Sequence, residues 1–253
     1  MKRLSLLTLF VFVSSLAFGW GATGHRAVAQ LASKYLNKKA KRELKRILNG
    51  QSMAMVSTWM DEIYSDSTYK YTYDWHWVTI PDEQTYEQAE KNPKGDVIMT
   101  LERVIAELKK GNLDPAKETE YVKMLIHLVG DIHQPLHVGG GNDRGGNEVK
   151  VMWFRVDSNL HRVWDSDMID DTKLSYTELA ESLLEPDAET LKKWQRASVR
   201  DWANESKALR KEVYDYDRTR LGYEYSYRKL HLVRTRLLQA GVRLAAVLNE
   251  IYG

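Results

Sequence analysis

Apolar residues recur every three or four positions along most of this chain, the spacing that places side chains on one face of an α-helix. Runs of β-branched residues are scarce, so strands can account for only a small part of the fold. The 253 residues, 43% of them hydrophobic, are enough to bury one large core, and no interdomain linker or repeat interrupts them. We therefore predict a mainly α, single-domain protein.

Two stretches depart from the helical spacing. Aromatic and polar residues alternate over Tyr71 to Ile80, which predicts an extended segment closed by Pro81. Gly139 to Gly146 holds five glycines in eight positions, and the alternation over Glu148 to Val156 after it predicts a short β-hairpin. The predicted helices are Arg26 to Tyr35, Lys38 to Leu48, Met53 to Tyr64, Asp96 to Lys110, Glu118 to Gln134, Ser175 to Leu184, Glu189 to Tyr214 and Tyr225 to Ile251.

The N-terminus has the three parts of a secretory signal peptide. A basic start at Lys2 and Arg3 precedes an apolar run from Leu4 to Leu16, and Ala17-Phe18-Gly19 forms a small-x-small cleavage site. A membrane anchor is the alternative, but 13 apolar residues fall short of the roughly 20 needed to span a bilayer. We expect residues 1–19 to be removed, leaving an unanchored domain of residues 20–253 in the periplasm or the medium.

Charge and cysteine content narrow the ways in which the mature chain could be stabilised. The full chain carries 37 Lys and Arg against 35 Asp and Glu, and loss of Lys2 and Arg3 leaves equal numbers of each. This balance gives no indication of a polyanionic partner. Cysteine is absent, although an exported protein could form disulfides, so packing or metal must stabilise the fold.

The histidines are grouped in a way that indicates metal binding. His127 and Asp131 are four residues apart in a predicted helix, and His161 and Asp165 repeat this offset, which places each pair on one face. One such pair is often only a surface ion pair, whereas two pairs favour a metal site. Imidazole and carboxylate donors without thiolate suit zinc best, with manganese or iron as alternatives. Taken singly, His133, His137 and His76 could also be hydrogen-bonded core or surface residues.

Several motifs together resemble the S1/P1 nuclease family. They are Trp20-Gly-Ala-Thr-Gly-His25, Trp59-Met-Asp61-Glu62, Trp75-His76, His127-Leu-Val-Gly-Asp131-Ile-His-Gln-Pro-Leu-His137, Gly145-Gly-Asn147 and Asn159-Leu-His161-Arg-Val-Trp-Asp165. The resemblance extends from Trp20 to the last residue, with nine ligand positions in order. It implies a single all-helical domain of the zinc phospholipase C and P1 nuclease type.

The resemblance also implies three zinc ions. The first is held by Asp61, His76, His127 and Asp131. The second takes the free amine and carbonyl oxygen of Trp20, the His25 imidazole and a bridging oxygen of Asp131. The third is bound by His137, His161 and Asp165. Because Asp131 serves two ions, it is the residue whose loss should matter most for catalysis, and the free amine requires a chain that begins at Trp20.

The activity implied by the family is endonucleolytic hydrolysis of single-stranded DNA and RNA to 5′-phosphate products, with nucleotides as further substrates through a 3′-nucleotidase activity. Trp77 aligns with the aromatic residue that stacks on a base, with a core aromatic as the alternative. Tyr64 stands where fungal members carry a phosphate-contacting arginine, and Thr79 replaces an acidic or amide residue. Arg144 and Asn147 of the glycine-rich stretch are available to a phosphate, although Arg144 could be a solvated surface charge.

Two other interpretations remain open at this stage. Zinc phospholipases C share the fold and metal set, but they generally carry glutamate as the last ligand where this chain has Asp165, and no apolar loop suited to a membrane is evident. A non-enzymatic helical protein in which zinc replaces disulfides is the other. No protein partner is inferred, and we expect a monomer.

Overall fold

A computed structural model describes residues 19–253, so the predicted signal segment, residues 1–19, lies outside the described part except for Gly19. The α-helices are α1 (Ala22–Tyr35), α2 (Lys38–Ile47), α3 (Met53–Val56), α4 (Trp59–Glu62), α5 (Val97–Lys110), α6 (Pro115–His133), α7 (Leu160–Arg162), α8 (Met168–Asp170), α9 (Tyr176–Ser182), α10 (Ala188–Arg196), α11 (Val199–Val213) and α12 (Tyr223–Tyr252). Short 3-10 helices cover Ile63–Ser65, Ser67–His76 and Pro135–His137, and a π-helical turn covers Val163–Asp167. The strands are β1 (Val78–Thr79), β2 (Val138–Gly139), β3 (Lys150–Trp153), β4 (Val156–Asn159) and β5 (Arg220–Leu221).

The prediction of a mainly α single domain is confirmed. Helix α12, 30 residues long, packs along α1, and the closeness of the two depends on Gly241, where a Cβ would lie 2.5 Å from that of Leu31. Helix α6 is buried from Met124 to His133, so it crosses the interior. None of the helices in residues 19–253 combines the length and apolar character that crossing a bilayer requires.

The predicted β-hairpin is present, slightly displaced along the chain. Strands β3 and β4 pair antiparallel from Lys150 with Asn159 to Trp153 with Val156. Strand β5, which the sequence did not predict, adds to β3 in parallel. The hairpin ends where α7 begins. Its position therefore determines where the His161 side chain lies in the buried interior.

The extended segment predicted over Tyr71 to Ile80 is mostly wrong, because a 3-10 helix extends to His76 and only Val78–Thr79 forms a strand. Local polar contacts stabilise the helical turns: Thr68 N donates to the Asp66 carboxylate and Thr72 Oγ1 donates to Tyr69 O. Strand β1 then pairs in parallel with β2, which brings His76 close to His137.

Two predicted helices are each divided in two. The predicted Met53 to Tyr64 helix breaks at Ser57, whose hydroxyl donates to Ala54 O, and resumes as α4. The predicted Glu189 to Tyr214 helix breaks before Ser198, which forms a capping box with Asp201 at the start of α11. In both places a hydroxyl side chain stabilises a helix end that the apolar spacing does not reveal.

Candidate metal centre

Helix α6 carries the first two predicted ligands. His127 and Asp131 are fully buried one turn apart, with His127 Nε2 3.2 Å from Asp131 Oδ2. Asp114 caps this helix by accepting from Ala116 N and Lys117 N, and Pro115 occupies its first turn. The predicted same-face arrangement is therefore confirmed.

The two oxygens of Asp131 point to different partners. Oδ1 lies 3.3 Å from Nε2 of His25, which α1 contributes. Oδ2 lies 2.9 Å from Nδ1 of His76, at the end of the 3-10 helix. Asp61 Oδ1 approaches from α4, 3.4 Å from His127 Nε2. Three separate segments, α1, α4 and the 3-10 helix, thus converge on the His127–Asp131 pair of α6.

The third group of predicted ligands lies apart from Asp131. Nε2 of His161 is 3.0 Å from Asp165 Oδ2, and Nε2 of His137 is 4.0 Å from Asp165 Oδ1. Asp165 lies in the π-helical turn, a conformation that often occurs at functional sites. Among residues 19–253, three groups could hold a metal ion, since the donor atoms within each group lie within 4.8 Å of one another: His25, His127 and Asp131; Asp61, His76 and His127; and His137, His161 and Asp165.

Backbone carbonyls fix the orientation of three of these imidazoles. A carbonyl can only accept a hydrogen bond, so each Nδ1 carries a proton and each Nε2 is the nitrogen that faces the cluster, where it can bind a metal ion in the neutral ring. The carbonyls belong to Ser57 for His127 (2.7 Å), to His76 for His137 (2.7 Å) and to Gly145 for His161 (2.6 Å). The break after α3 places the Ser57 carbonyl at this position.

Burial and neighbouring charges shift the pKa values of the groups in the centre. Burial lowers the pKa of His127, but the carboxylates of Asp131 and Asp61 outweigh it and raise that pKa to about 9. Burial opposes ionisation of Asp131, yet the His127 charge holds its pKa well below the usual range. Burial lowers the pKa of His25 and of His137. These groups are arranged so that carboxylate charge is available to a cation.

Several buried nitrogen and oxygen atoms of the centre that could bind a metal ion lack hydrogen-bond partners within residues 19–253. They are both ring nitrogens of His25, Oδ1 of Asp61, Oδ1 of Asp131 and Nε2 of His137. An unpartnered polar atom in the interior is costly unless a ligand satisfies it. The donors are all nitrogen or oxygen, so the residues present fit divalent metal ions such as zinc.

The segment before α1 enters the same centre. Trp20 is fully buried, and Gly21 N donates to Asp165 O at 2.8 Å. Gly19 lies so close to Asp131 that a Cβ there would come within 1.6 Å of Oδ1 and 2.9 Å of His25 Nε2. The peptide group between Gly19 and Trp20 is therefore next to the two side chains predicted to share a metal with the Trp20 amine.

A cavity of about 190 Å³ opens beside the third group. Four of the five predicted substrate-contacting residues line it with His137 and His161, namely Trp77, Thr79, Arg144 and Asn147. Trp77 is half-buried, unlike the core residue Trp75, so the core alternative for Trp77 does not hold. Arg144 is exposed and adopts a left-handed backbone conformation at φ 53°.

Tyr64 is the one predicted substrate-contacting residue that does not line this cavity. Its ring stacks on that of Tyr73, with centroids 4.1 Å apart. Burial raises the pKa of Tyr64, and the Arg144 charge acts in the opposite direction, which places the two side chains within electrostatic reach of each other.

Sequence reasoning missed the residues that support the ligands. Gln134 is fully buried and donates to Asp165 Oδ1 at 2.5 Å. His133 is a hydrogen-bonded core histidine, in contact with Val129 O and Arg243, and Arg236 donates to its carbonyl. The only sequence signal for Gln134 is its position between the ligands His127 and His137.

Comparisons with known proteins agree with this geometry. A family model described as S1/P1 nuclease matches residues 20–253. Endonuclease 3 of Arabidopsis thaliana is 32% identical over 98% of this chain and 94% of its own length, and Endonuclease 4 of the same plant is 31% identical over 93% and 90%. Nuclease S1 of Aspergillus oryzae is 26% identical over 65% of this chain and 60% of its own length. The chain therefore belongs to the S1/P1 nuclease family and is an enzyme of the nuclease class.

Proposed function

We propose that this chain is a zinc-dependent endonuclease that hydrolyses phosphodiester bonds of single-stranded DNA and RNA to 5′-phosphate products and also acts on 3′-nucleotides. The observation that carries the proposal is the buried carboxylate of Asp131, which turns one oxygen to His25 and the other to His76. A carboxylate shared in this way suits two divalent ions held side by side, the arrangement that many phosphodiester hydrolases use.

Donor chemistry supports three zinc ions. The ligands we propose are Asp61, His76, His127 and Asp131 for the first ion, Trp20, His25 and Asp131 for the second, and His137, His161 and Asp165 for the third. The side-chain donor atoms of Asp61, His76 and His127 lie close together, as do those of His25, His127 and Asp131 and those of the third set. Imidazole and carboxylate donors without thiolate are typical of catalytic zinc, which keeps a position open for water or substrate. The second ion needs the amine of Trp20, which supports removal of residues 1–19 during export.

When bound, the ions supply Lewis-acid chemistry that acidifies water and neutralises the charge developing on phosphoryl oxygens. The residues of the chain hold the metal-binding atoms in fixed positions. Carbonyl oxygens of Ser57 and Gly145 hold the imidazoles of His127 and His161, so these rings need not reorient during the reaction. The Nε2 atoms of these two rings and the buried Asp131 carboxylate are thus preorganised to bind cations.

The cavity beside the third group supports a polymeric, unpaired substrate. Its volume of about 190 Å³ is below the roughly 300–1,000 Å³ of pockets that enclose whole small ligands, so it suits one part of a longer chain. Trp77 offers a half-buried aromatic face, and an unpaired base can stack on such a face whatever its sequence. Arg144 at the rim supplies a cation for a phosphate.

The experiment that tests this proposal uses protein with a verified Trp20 terminus. We expect about three zinc ions per chain by mass spectrometry, cleavage of single-stranded DNA and RNA with 5′-phosphate ends, and loss of cleavage with chelator. A phosphatidylcholine emulsion is assayed in parallel, since lipid cleavage without nucleic-acid cleavage would instead indicate a phospholipase C. A zinc-loaded protein that hydrolyses neither nucleic acids nor nucleotides would refute the proposal.

A further inference from the structure

Gln134 connects the two parts of the metal centre. It lies between α6 and the 3-10 helix Pro135–His137, and its side chain is fully buried. Its backbone N donates to Asp131 O at 2.9 Å, while its side-chain Nε2 donates to Asp165 Oδ1 at 2.5 Å. Gln134 therefore contacts Asp131, the shared carboxylate residue, through its backbone N–H, and Asp165 of the third group through its side-chain amide.

The amide of Gln134 is itself held in one orientation. Its Oε1 accepts a hydrogen bond from Leu136 N at 2.5 Å, so the NH₂ group must face Asp165. A flipped amide would put two oxygens together at Asp165 and leave the Leu136 N–H facing a donor. The bond to Asp165 Oδ1 is therefore determined by the backbone turn after α6.

The two oxygens of Asp165 consequently have different surroundings. Oδ2 lies 3.0 Å from His161 Nε2, inside the group of donors. Oδ1 is bound by the amide and lies 4.0 Å from His137 Nε2. If Oδ2 alone binds the metal while the amide holds Oδ1, the third group offers three protein donors, whereas both oxygens together would bring the number to four.

We propose that Gln134 is a positioning residue that keeps Asp165 Oδ1 off the third metal ion and so leaves coordination positions open for the substrate phosphate. Zinc bound by four protein donors is typically structural and closed, whereas three donors leave room for water or substrate. Groups that hydrogen-bond to metal ligands commonly change metal affinity or activity by 10- to 100-fold when they are replaced. This inference rests on the proposed function, because it assumes that the third group holds a metal.

The test compares the Gln134→Met variant with the zinc-loaded wild-type enzyme. Methionine has a similar length but no donor, so we expect crystal structures to show one Asp165 oxygen on the metal in the wild type and both in the variant. Inhibition by inorganic phosphate, which competes for the open positions, should weaken about tenfold in the variant, and kcat/KM should fall at least tenfold. If Gln134 only stabilised the fold, its replacement would lower the fraction of active enzyme and leave the inhibition constant for phosphate unchanged.

The matched control is Gln239→Met, which removes another buried amide, one that accepts from Arg236 in α12. This variant should leave phosphate inhibition and Asp165 coordination unchanged. If Gln134→Met does not fold, Gln134→Asn provides the same measurements, since its shorter amide cannot reach both Leu136 N and Asp165. One-oxygen coordination with unchanged phosphate inhibition in the Gln134 variant would overturn the inference, as would two-oxygen coordination in the wild type.

The crystallographic comparison separates this inference from the proposed function. A wild-type enzyme that holds zinc but cleaves no nucleic acid would refute the proposed function, while the Asp165 coordination would still decide the role of Gln134. A wild-type enzyme with no metal in the third group would overturn both.

Discussion

Replacement of Asp131 by asparagine should remove two metal ions from the protein, whereas replacement of Asp165 should remove one. The expectation follows from the contacts of Asp131, whose oxygens lie 3.3 Å from His25 Nε2 and 2.9 Å from His76 Nδ1. An amide keeps the shape but loses the charge and one of the two acceptor oxygens. Of the predicted ligands within residues 19–253, those near the Asp165 carboxylate are His137 and His161, which belong to one group, so Asp165→Asn is the matched control.

The size of the effect can be worked out from linkage. An ion present at 100 times its dissociation constant stabilises the folded state by about 2.7 kcal/mol. Loss of two ions then costs about 5 kcal/mol, and a chain of this size changes its melting temperature by roughly 2–4 °C for each kcal/mol. At fixed free zinc we therefore expect Asp131→Asn to melt roughly 10–20 °C below the wild type, and Asp165→Asn to melt about half as far below it.

The assay combines zinc content by mass spectrometry with thermal unfolding at defined free zinc. Asp131 also interacts with His127 when metal is absent, so each variant is measured with chelator as well, and the difference isolates the contribution of the metal. We expect about one zinc per chain for Asp131→Asn and about two for Asp165→Asn. Equal zinc loss in both variants, or three ions bound by Asp131→Asn, would refute the shared-carboxylate reasoning.

Three further predictions concern the N-terminus, pH and the substrate cavity. One alanine added before Trp20 should reduce zinc content from three ions to two and abolish most cleavage, because the amine no longer reaches the side chains of His25 and Asp131. With chelator present, the raised pKa of His127, about 9 against an unfolded value near 6.5, stabilises the fold below pH 6.5, and this contribution is lost as the pH rises to 9. Denaturant titrations should show that loss, on the order of 3 kcal/mol, and the His127→Gln variant should not. Trp77→Ala should weaken binding of single-stranded DNA by about 5- to 150-fold, equivalent to 1–3 kcal/mol of stacking.

Controls accompany each of these measurements. The alanine-extended protein should regain its third zinc after a protease restores the Trp20 terminus, and full activity without that treatment would contradict the role of the amine. Zinc binding to the wild type at pH 7.5 should release a proton from His127, detectable as a buffer-dependent heat. Trp77→Phe keeps an aromatic face and should retain most of the affinity, so equal losses for Phe and Ala would argue against stacking.

Much of the centre could be predicted from sequence because its ligands lie at short, regular spacings. His127 and Asp131 share a helical face whatever surrounds the helix, and the structure places them as predicted. The Ser67–His76 segment shows the opposite case, since its aromatic and hydroxyl residues suit a strand by propensity but form 3-10 turns through local side-chain bonds. The break at Ser57 was also missed, and it places the carbonyl that orients His127.

The sequence by itself determined the mainly helical class, the pairing of His127 with Asp131 and of His161 with Asp165, and the nitrogen and oxygen character of the site, because these follow from spacing and residue type. Its formal charge of +2 gave no indication of a polyanionic substrate. The family resemblance implied that Asp131 serves two ions, but only the tertiary structure decided which of its oxygens lies against His25 and which against His76, and that Gln134 reaches Asp165, 31 residues away. Such contacts join distant segments, so they depend on how α1, α6 and the hairpin pack rather than on any local pattern.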